Sequence, residues 1–327
     1  MMKIKKKYIA SIFLTFVLGT ILGLIVSNYK YFLPNSITEL HSGGYALINP
    51  LYECVESDNV AGDFSALEKK IVDYVNEVIS SEDVDRTSVY FKDLNNGPWF
   101  GTNYKANFSP ASLLKVPVMI AYFKKAQDNP KILNKKLKFT QEIYTNIQPI
   151  TDPTNPIKIG NEYTVEQLIE KMIIESDNNA LILLKENISQ SDIDKVSKDL
   201  GVPTSRSINN FMSVKDYSSF FRILYNSSYL NTTYSQKALA ILLKTNFTEG
   251  IRKPLPKNIR VADKFGERYI EGNIKYQLHN CGIIYYPDRP YLLCVMTEGK
   301  DYERLKKMLQ EISQLIYHDY NSLFGRH

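Results

Sequence analysis

Ser112 and Lys115 stand three residues apart in "SPASLLKVPVMIAYFKKA", residues 109–126. On a helix that spacing puts both side chains on one face, within contact range. A serine hydroxyl is a weak nucleophile until a neighbour takes its proton. A lysine amine, with a reference pKa of about 10.4, becomes such a neighbour when burial and nearby cations disfavour its charged form. The segment around Lys115 is apolar, so the amine either snorkels to the surface or acts on the serine. A helix start beside Ser112 supplies backbone N–H groups and positive potential, which favour negative charge developing there. The spacing alone singles out no site, because Ser27 and Lys30 share it.

Two further stretches carry groups suited to the same chemistry. "ESDNNA" places Ser176, Asp177 and Asn178 at a junction between two helices, and "ADKFGE" places Lys264, Phe265 and Gly266 on the first strand after a helical block. Other chemistries have less to stand on. There is no G-x-S-x-G stretch, and the histidines are His41, His279, His318 and His327. His279, beside Asn280 in a strand, reads as a structural histidine. The cysteines, Cys54, Cys281 and Cys294, are too scattered for a zinc site. No metal or organic cofactor is implied. Cys281 and Cys294 flank a hairpin turn and can pair, but the odd count leaves one thiol over, and a buried small hydrophobe is the expected state of each.

The elements that must position these groups follow from periodicity and caps. "DFSALEKKIVDYVNEVI" has apolar residues every three to four positions behind an acidic cap, which predicts an amphipathic helix. "TSVYFKDL", "NNG" and "PWFGTN" read as strand, turn and strand. Ser112 then opens a helix reaching about Ala126, with Pro117 tolerated in its first turn. "TVEQLIEKMIIES" starts with a capping box, Thr164 with Gln167. "DNNALILLKENI", "SQSDIDKVSKDLG", "SVKDYSSFFRILYN" and "YSQKALAILLKTN" are further helices. "VADKFG", "HNCGIIYYP" and "YLLCVMTEG" are strands, and "DYERLKKMLQEISQLIY" is a closing helix. Strands at both ends around a block of helices predict an α+β fold, one sheet assembled from both ends of the chain with an all-helical insertion.

Ser-x-x-Lys, Ser-Asp-Asn and Lys-x-Gly, in that order, resemble the active-site motifs of class A β-lactamases and penicillin-binding proteins. The flanks "FSPASLLKVPVMIAY", "TNFTEGIRKPLPKNIRVADKFGE" and "GIIYYPDRPYLLCVMTEG" are similar to that family's nucleophile helix, its approach to the third motif and its last hairpin. The resemblance runs from about residue 65 to 317. It implies a five-stranded antiparallel sheet flanked by helices plus an all-helical domain, with the site between them. It implies Ser112 as the acylated nucleophile and Lys115 as its base or proton relay. Ser176 would carry a proton to the leaving nitrogen, and Lys264 would supply positive charge near Ser176 and a substrate carboxylate. Asn178 would bond the substrate amide, and the backbone N–H groups of Ser112 and Glu267 would form the oxyanion hole. Asp177 reads as structural. The expected substrate is a β-lactam or a related D-alanyl peptide, handled by a monomer.

The chain departs from the pattern twice. Class A enzymes hold a deacylating water with an omega-loop glutamate, but no glutamate occurs between Glu186 and Glu249. Asn209 or Asn210 could orient water, though an amide is no general base. Phe265 stands where the family has a threonine or serine whose hydroxyl meets the substrate carboxylate. Arg268 either replaces that contact or is simply solvated, while Phe265 shapes an apolar edge of the cleft or blocks it. Slow deacylation would make the protein a penicillin-binding sensor or weakened binding module.

The chain has 327 residues and a formal net charge of +5. Lys3, Lys5, Lys6 and Lys7 account for most of it, so no nucleic-acid footprint remains. Residues 8–29 carry no charge, and roughly 20 apolar residues span a bilayer core. The lysines before them favour a cytoplasmic N-terminus. A cleaved signal peptide competes, but no small-x-small site follows. The expected organisation is a basic tip and transmembrane anchor over residues 1–29, a stem over 30–62, and an extracytoplasmic catalytic domain over 63–327. In that domain the sheet comes from 63–108 and 258–327 and the helical insertion from about 109–257.

Overall fold

The computed structural model describes residues 45–49, 64–81, 84–95, 98–141, 150–202, 211–270 and 275–325. The chain enters through helix α1 (Ser65–Ser81) and strands β1 (Val84–Asp93), β2 (Trp99–Thr102) and β3 (Asn107–Phe108). The helical block holds α2 (Lys115–Asp128), α3 (Val165–Ile174), α4 (Asn178–Lys185), α5 (Gln190–Asp199), α6 (Val214–Tyr225) and α7 (Thr232–Leu242). Short strands β4 (Lys136–Lys138) and β5 (Glu162–Thr164) pair within it, and β6 (Met212–Ser213) pairs with β3. The chain then returns through β7 (Arg260–Ile270), β8 (Lys275–Tyr285), β9 (Tyr291–Gly299) and α8 (Tyr302–Phe324).

The five long strands form an antiparallel sheet in the order β2–β1–β9–β8–β7, so both ends of the chain build it, as the element order predicts. Its two faces are read off the alternation of side chains along each strand. Tyr90, Leu292, Cys294, Met296, Cys281 and Ile283 join the core shared with the helical block. Val89, Phe91, Leu293, Val295, Leu278 and Phe265 join a second core against α1 and α8. On β7, therefore, Ala262, Lys264 and Gly266 face the helical block, while Val261, Phe265 and Glu267 face α8. A one-residue slip of β7 would exchange the two sets.

Caps fix where the helices of the block begin. Thr164 and Gln167 form the predicted capping box of α3. Asp177, Ser189, Ser213 and Asn231 cap α4, α5, α6 and α7 by accepting backbone N–H bonds. Each such cap contributes about 1 kcal/mol. After α5, Gly201 takes a left-handed φ of 66°, which suits glycine at a helix end.

One expectation changes. Cys281 and Cys294 lie in direct register between β8 and β9, both buried, and are joined as a disulfide rather than left as free thiols. The strand register brings their Cα atoms within 3.9 Å, a closeness that linear spacing does not reveal. The apolar run at 8–29, and Cys54 in the stem, lie outside the described residues. Among the described residues no helix is long and apolar enough to cross a membrane.

Candidate active site

Ser112 is carried by a 3-10 turn, Ala111–Leu114, which runs straight into α2 at Lys115. The serine thus sits one turn before the α-helix that was expected to begin with it. Ala111 holds a φ of 49°, a left-handed conformation that costs an alanine about 1–3 kcal/mol. Several contacts hold the turn in place. Tyr217 on α6 donates its hydroxyl to the Leu113 carbonyl at 3.1 Å. Arg268 donates to the Ser109 hydroxyl at 3.0 Å, and His279 meets the Ser109 carbonyl at 2.9 Å. Gly266 lies against the turn so closely that an added β-carbon would stand 2.7 Å from the Pro110 oxygen and 3.0 Å from the Leu113 nitrogen. That approach explains the glycine of the third motif.

Lys115 is buried, and its Nζ is surrounded by oxygens. It lies 3.0 Å from Ser112 Oγ, 3.0 Å from Ser176 Oγ, 2.8 Å from Asn178 Oδ1 and 2.5 Å from the Ser176 carbonyl. The carbonyl and the amide oxygen can only accept, so they take two N–H bonds. A neutral amine then has one lone pair left, which can accept from either the Ser112 or the Ser176 hydroxyl. Burial first, then the charge of Lys264, hold Lys115 well below the usual lysine range, against the opposing pull of Asp177 and Glu267. The neutral form is therefore the accessible one.

Ser176 is held between two amines. Its Oγ is 3.0 Å from Lys115 Nζ and 3.0 Å from Lys264 Nζ. Its φ of 55° is left-handed, a strain that persists only where surrounding contacts impose it. Asp177 imposes it in part. One carboxylate oxygen caps α4 through Ala180 N–H, and the other accepts Ile157 N–H at 2.7 Å. Asp177 is structural in this arrangement, as its sequence context suggests.

Lys264 is also buried and reaches Ser176 Oγ and the Phe265 carbonyl. Burial pushes its amine down to about 7, against the raising influence of Asp263 and Glu267. Phe265, expected to shape an apolar edge of the cleft or to block it, is buried and joins the core against α8. It stacks on Phe247 with centroids 4.2 Å apart, and Lys264 Nζ lies 4.2 Å above its ring. It walls the lysine, and its ring carries no hydroxyl. Arg268 is engaged with Ser109 rather than free. The Glu267 side chain is also occupied: its carboxylate accepts from Thr151 N–H, the Thr151 hydroxyl and the Tyr302 hydroxyl.

Ser112, Lys115, Ser176, Asn178 and Lys264 thus converge from three separate segments. Gly266 and Glu267 lie alongside on β7. Asn209 and Asn210 lie outside the described residues. Among the described residues no group of three or more His, Cys, Asp or Glu side chains is placed to hold a metal. The supports contributed by Ser109, Tyr217 and the Glu267 carboxylate were not legible in the sequence, because none of them sits in a motif.

His279 yields a pH prediction. Its Nδ1 accepts Thr297 N–H, so Nε2 carries the proton and donates to the Ser109 carbonyl. Burial lowers its pKa from 6.5 to about 4. The folded protein keeps it neutral, while the unfolded chain takes up a proton below pH 6.5. This contribution to stability is complete above pH 6.5 and is lost as pH falls towards 4, on the order of 3 kcal/mol in all. Urea midpoints measured from pH 7.5 to 4 should fall less in His279→Gln than in the unsubstituted protein. Parallel curves would count against the assignment.

Comparison with known proteins bears on this geometry. The model of the Beta-lactamase enzyme family matches residues 69–320. Among solved structures, PBP-A superposes with a TM-score of 0.65 at 18% identity, covering 79% of this chain and 97% of that one. A β-lactamase from Chitinophaga pinensis DSM 2588 gives 0.68 at 19% identity, covering 77% and 100%. The TLA-1 extended-spectrum β-lactamase gives 0.68 at 16% identity, covering 79% and 99%. At such identities the likeness is one of fold. No curated protein matches the sequence.

Proposed function

Since the chain belongs to the Beta-lactamase enzyme family, we propose that it is a membrane-anchored, extracytoplasmic serine hydrolase that forms an acyl-enzyme on Ser112. Its substrate is a β-lactam or a related D-alanyl peptide. One observation carries the reading: a buried amine, Lys115, lies 3.0 Å from the Ser112 hydroxyl and 3.0 Å from Ser176, which in turn touches a second amine.

The steps follow from that arrangement. Neutral Lys115 takes the proton of Ser112 as Oγ bonds to the carbonyl carbon, and the C=O electron pair moves onto oxygen. That oxyanion faces the N–H groups of Ser112 and Glu267, each donor contributing about 3 kcal/mol to the transition state. When the C–O double bond re-forms, the C–N bond breaks. Ser176 gives its proton to the departing nitrogen and is resupplied from Lys115. Lys264 holds positive charge beside Ser176 and the substrate carboxylate, and Asn178 orients the substrate amide.

A second reading, a penicillin-binding sensor or weakened module, is favoured by the lack of glutamate between Glu186 and Glu249 and by Phe265 in place of a hydroxyl. Intact-protein mass spectrometry after exposure to benzylpenicillin separates the two. An adduct that appears and clears identifies a hydrolase, and one that persists identifies a sensor or peptidase-like protein. Ser112→Ala is expected to abolish the adduct; labelling of that variant at the wild-type rate would overturn both readings.

A further inference from the structure

Residues 150–157 are fastened at both ends of the site by carboxylates that exchange no proton in the steps above, although Asp177 and Glu267 pull on the charge of the lysines. Glu267 accepts Thr151 N–H at 2.5 Å and the Thr151 hydroxyl at 3.0 Å, and Tyr302 at the start of α8 donates to the same carboxylate at 2.5 Å. Glu175 accepts the Thr154 hydroxyl at 2.7 Å and Asn155 N–H at 3.2 Å, and Asn246 adds a bond at 2.8 Å. Asp177 accepts Ile157 N–H at 2.7 Å. Glu175 and Asp177 flank Ser176, and Glu267 follows Gly266, so the segment is registered onto the residues next to the reacting groups.

Its path follows from the sheet. β7 is the outer strand, and Glu267 faces α8 while Lys264 faces the helical block. Thr151 bonds on the α8 side, and Ile157, six residues on, bonds at the α3–α4 junction. The segment therefore runs from Glu267, the neighbour of the Gly266 that packs on the Ser112 turn, to the α3–α4 junction. An outer strand is where an extended ligand would lie to reach the serine. Thr151 and Thr154 are exposed, so this clip lies at the surface, where a substitution can loosen it without opening a core.

We propose that residues 150–157 form a strap, latched by Thr151 to Glu267, that sets specificity by admitting slim acyl donors to Ser112 and excluding those with bulk on the β7 side. The inference rests on the reading of Ser112 as the acylated residue. Thr151→Asp sets a carboxylate against that of Glu267 and unlatches the strap by like-charge repulsion; Thr151→Asn, which can still donate, keeps it latched.

The test follows acylation rates by intact mass with two probes sharing one ring and carboxylate: 6-aminopenicillanic acid and a penicillin bearing a large fluorescent side chain. Access scales with the open fraction of the strap, so Thr151→Asp should speed the bulky probe about tenfold and change the small one by less than about twofold. Thr151→Asn should match the unsubstituted protein. A bulky-probe rate unmoved by Thr151→Asp, or moved equally for both probes, overturns the strap while leaving Ser112 in its role. If no form of the protein is labelled by either probe, the reading of Ser112 falls and takes this inference with it.

Discussion

Lys115→Ala is expected to slow acylation of Ser112 by a β-lactam about 1,000-fold, the middle of the range that a positioned general base supplies. The amine has no substitute at its place. Lys264 bonds Ser176 Oγ and the Phe265 carbonyl, whereas Lys115 bonds Ser112 Oγ itself. The substitution also removes the donor that Lys115 supplies to the Ser176 carbonyl and Asn178 Oδ1. Thermal unfolding should accompany the rate measurement, because a folded but slow variant is the informative outcome. A residual rate within about tenfold of wild type would mean that another base serves Ser112.

The pH profile gives the same assignment a second reading. Lys115 must be neutral to act, so acylation should fall on the acid side as its lowered pKa is crossed. Lys264 must be charged to act, so acylation should fall on the alkaline side around 7. Lys115→Ala should flatten the acid limb while keeping the alkaline one.

The site was legible in the sequence to the extent that its chemistry is local. Ser112 with Lys115, Ser176 with Asn178, and Lys264 with Gly266 are each written within a few residues, and Thr164, Asp177, Ser189 and Ser213 announce helix starts by the same local rule. What stayed hidden depends on contacts between distant segments. The Ser109–His279 and Ser109–Arg268 bonds join residues more than a hundred positions apart. The left-handed backbone of Ala111 and Ser176 is imposed from outside, since neither residue type favours it. Phe265 is instructive here. The motif position suggested an edge of the cleft; the ring is buried in the second core on Phe247, with Lys264 Nζ 4.2 Å above it. Its stacking partner, Phe247, lies eighteen positions away in sequence, so that contact was not legible locally.

The network behind β7 supplies the other large effect. Asp263 is fully buried, and three donors converge on its carboxylate: Arg252 Nη2 at 2.5 Å, Thr245 Oγ1 at 3.0 Å and Asn280 Nδ2 at 2.9 Å. Asp263→Asn removes the charge and turns an NH2 group towards at least one of those donors. Breaking a buried pair from one side costs about 3–5 kcal/mol. The lower end is expected, because Arg252 is 23% exposed and keeps the carbonyls of Leu243, Thr245 and Val261 as acceptors. A fall in the urea midpoint equivalent to about 3 kcal/mol, with the slope unchanged, is the expected result. The substitution should also be felt in the site. Asp263 raises the pKa of its neighbour Lys264, so its loss lets that amine fall further below 7 and moves the alkaline limb of the acylation profile to lower pH. Destabilisation without that movement would make Asp263 a brace for the β7 backbone alone. Both together would tie the sheet's buried ion pair to the charge that Lys264 carries beside Ser176.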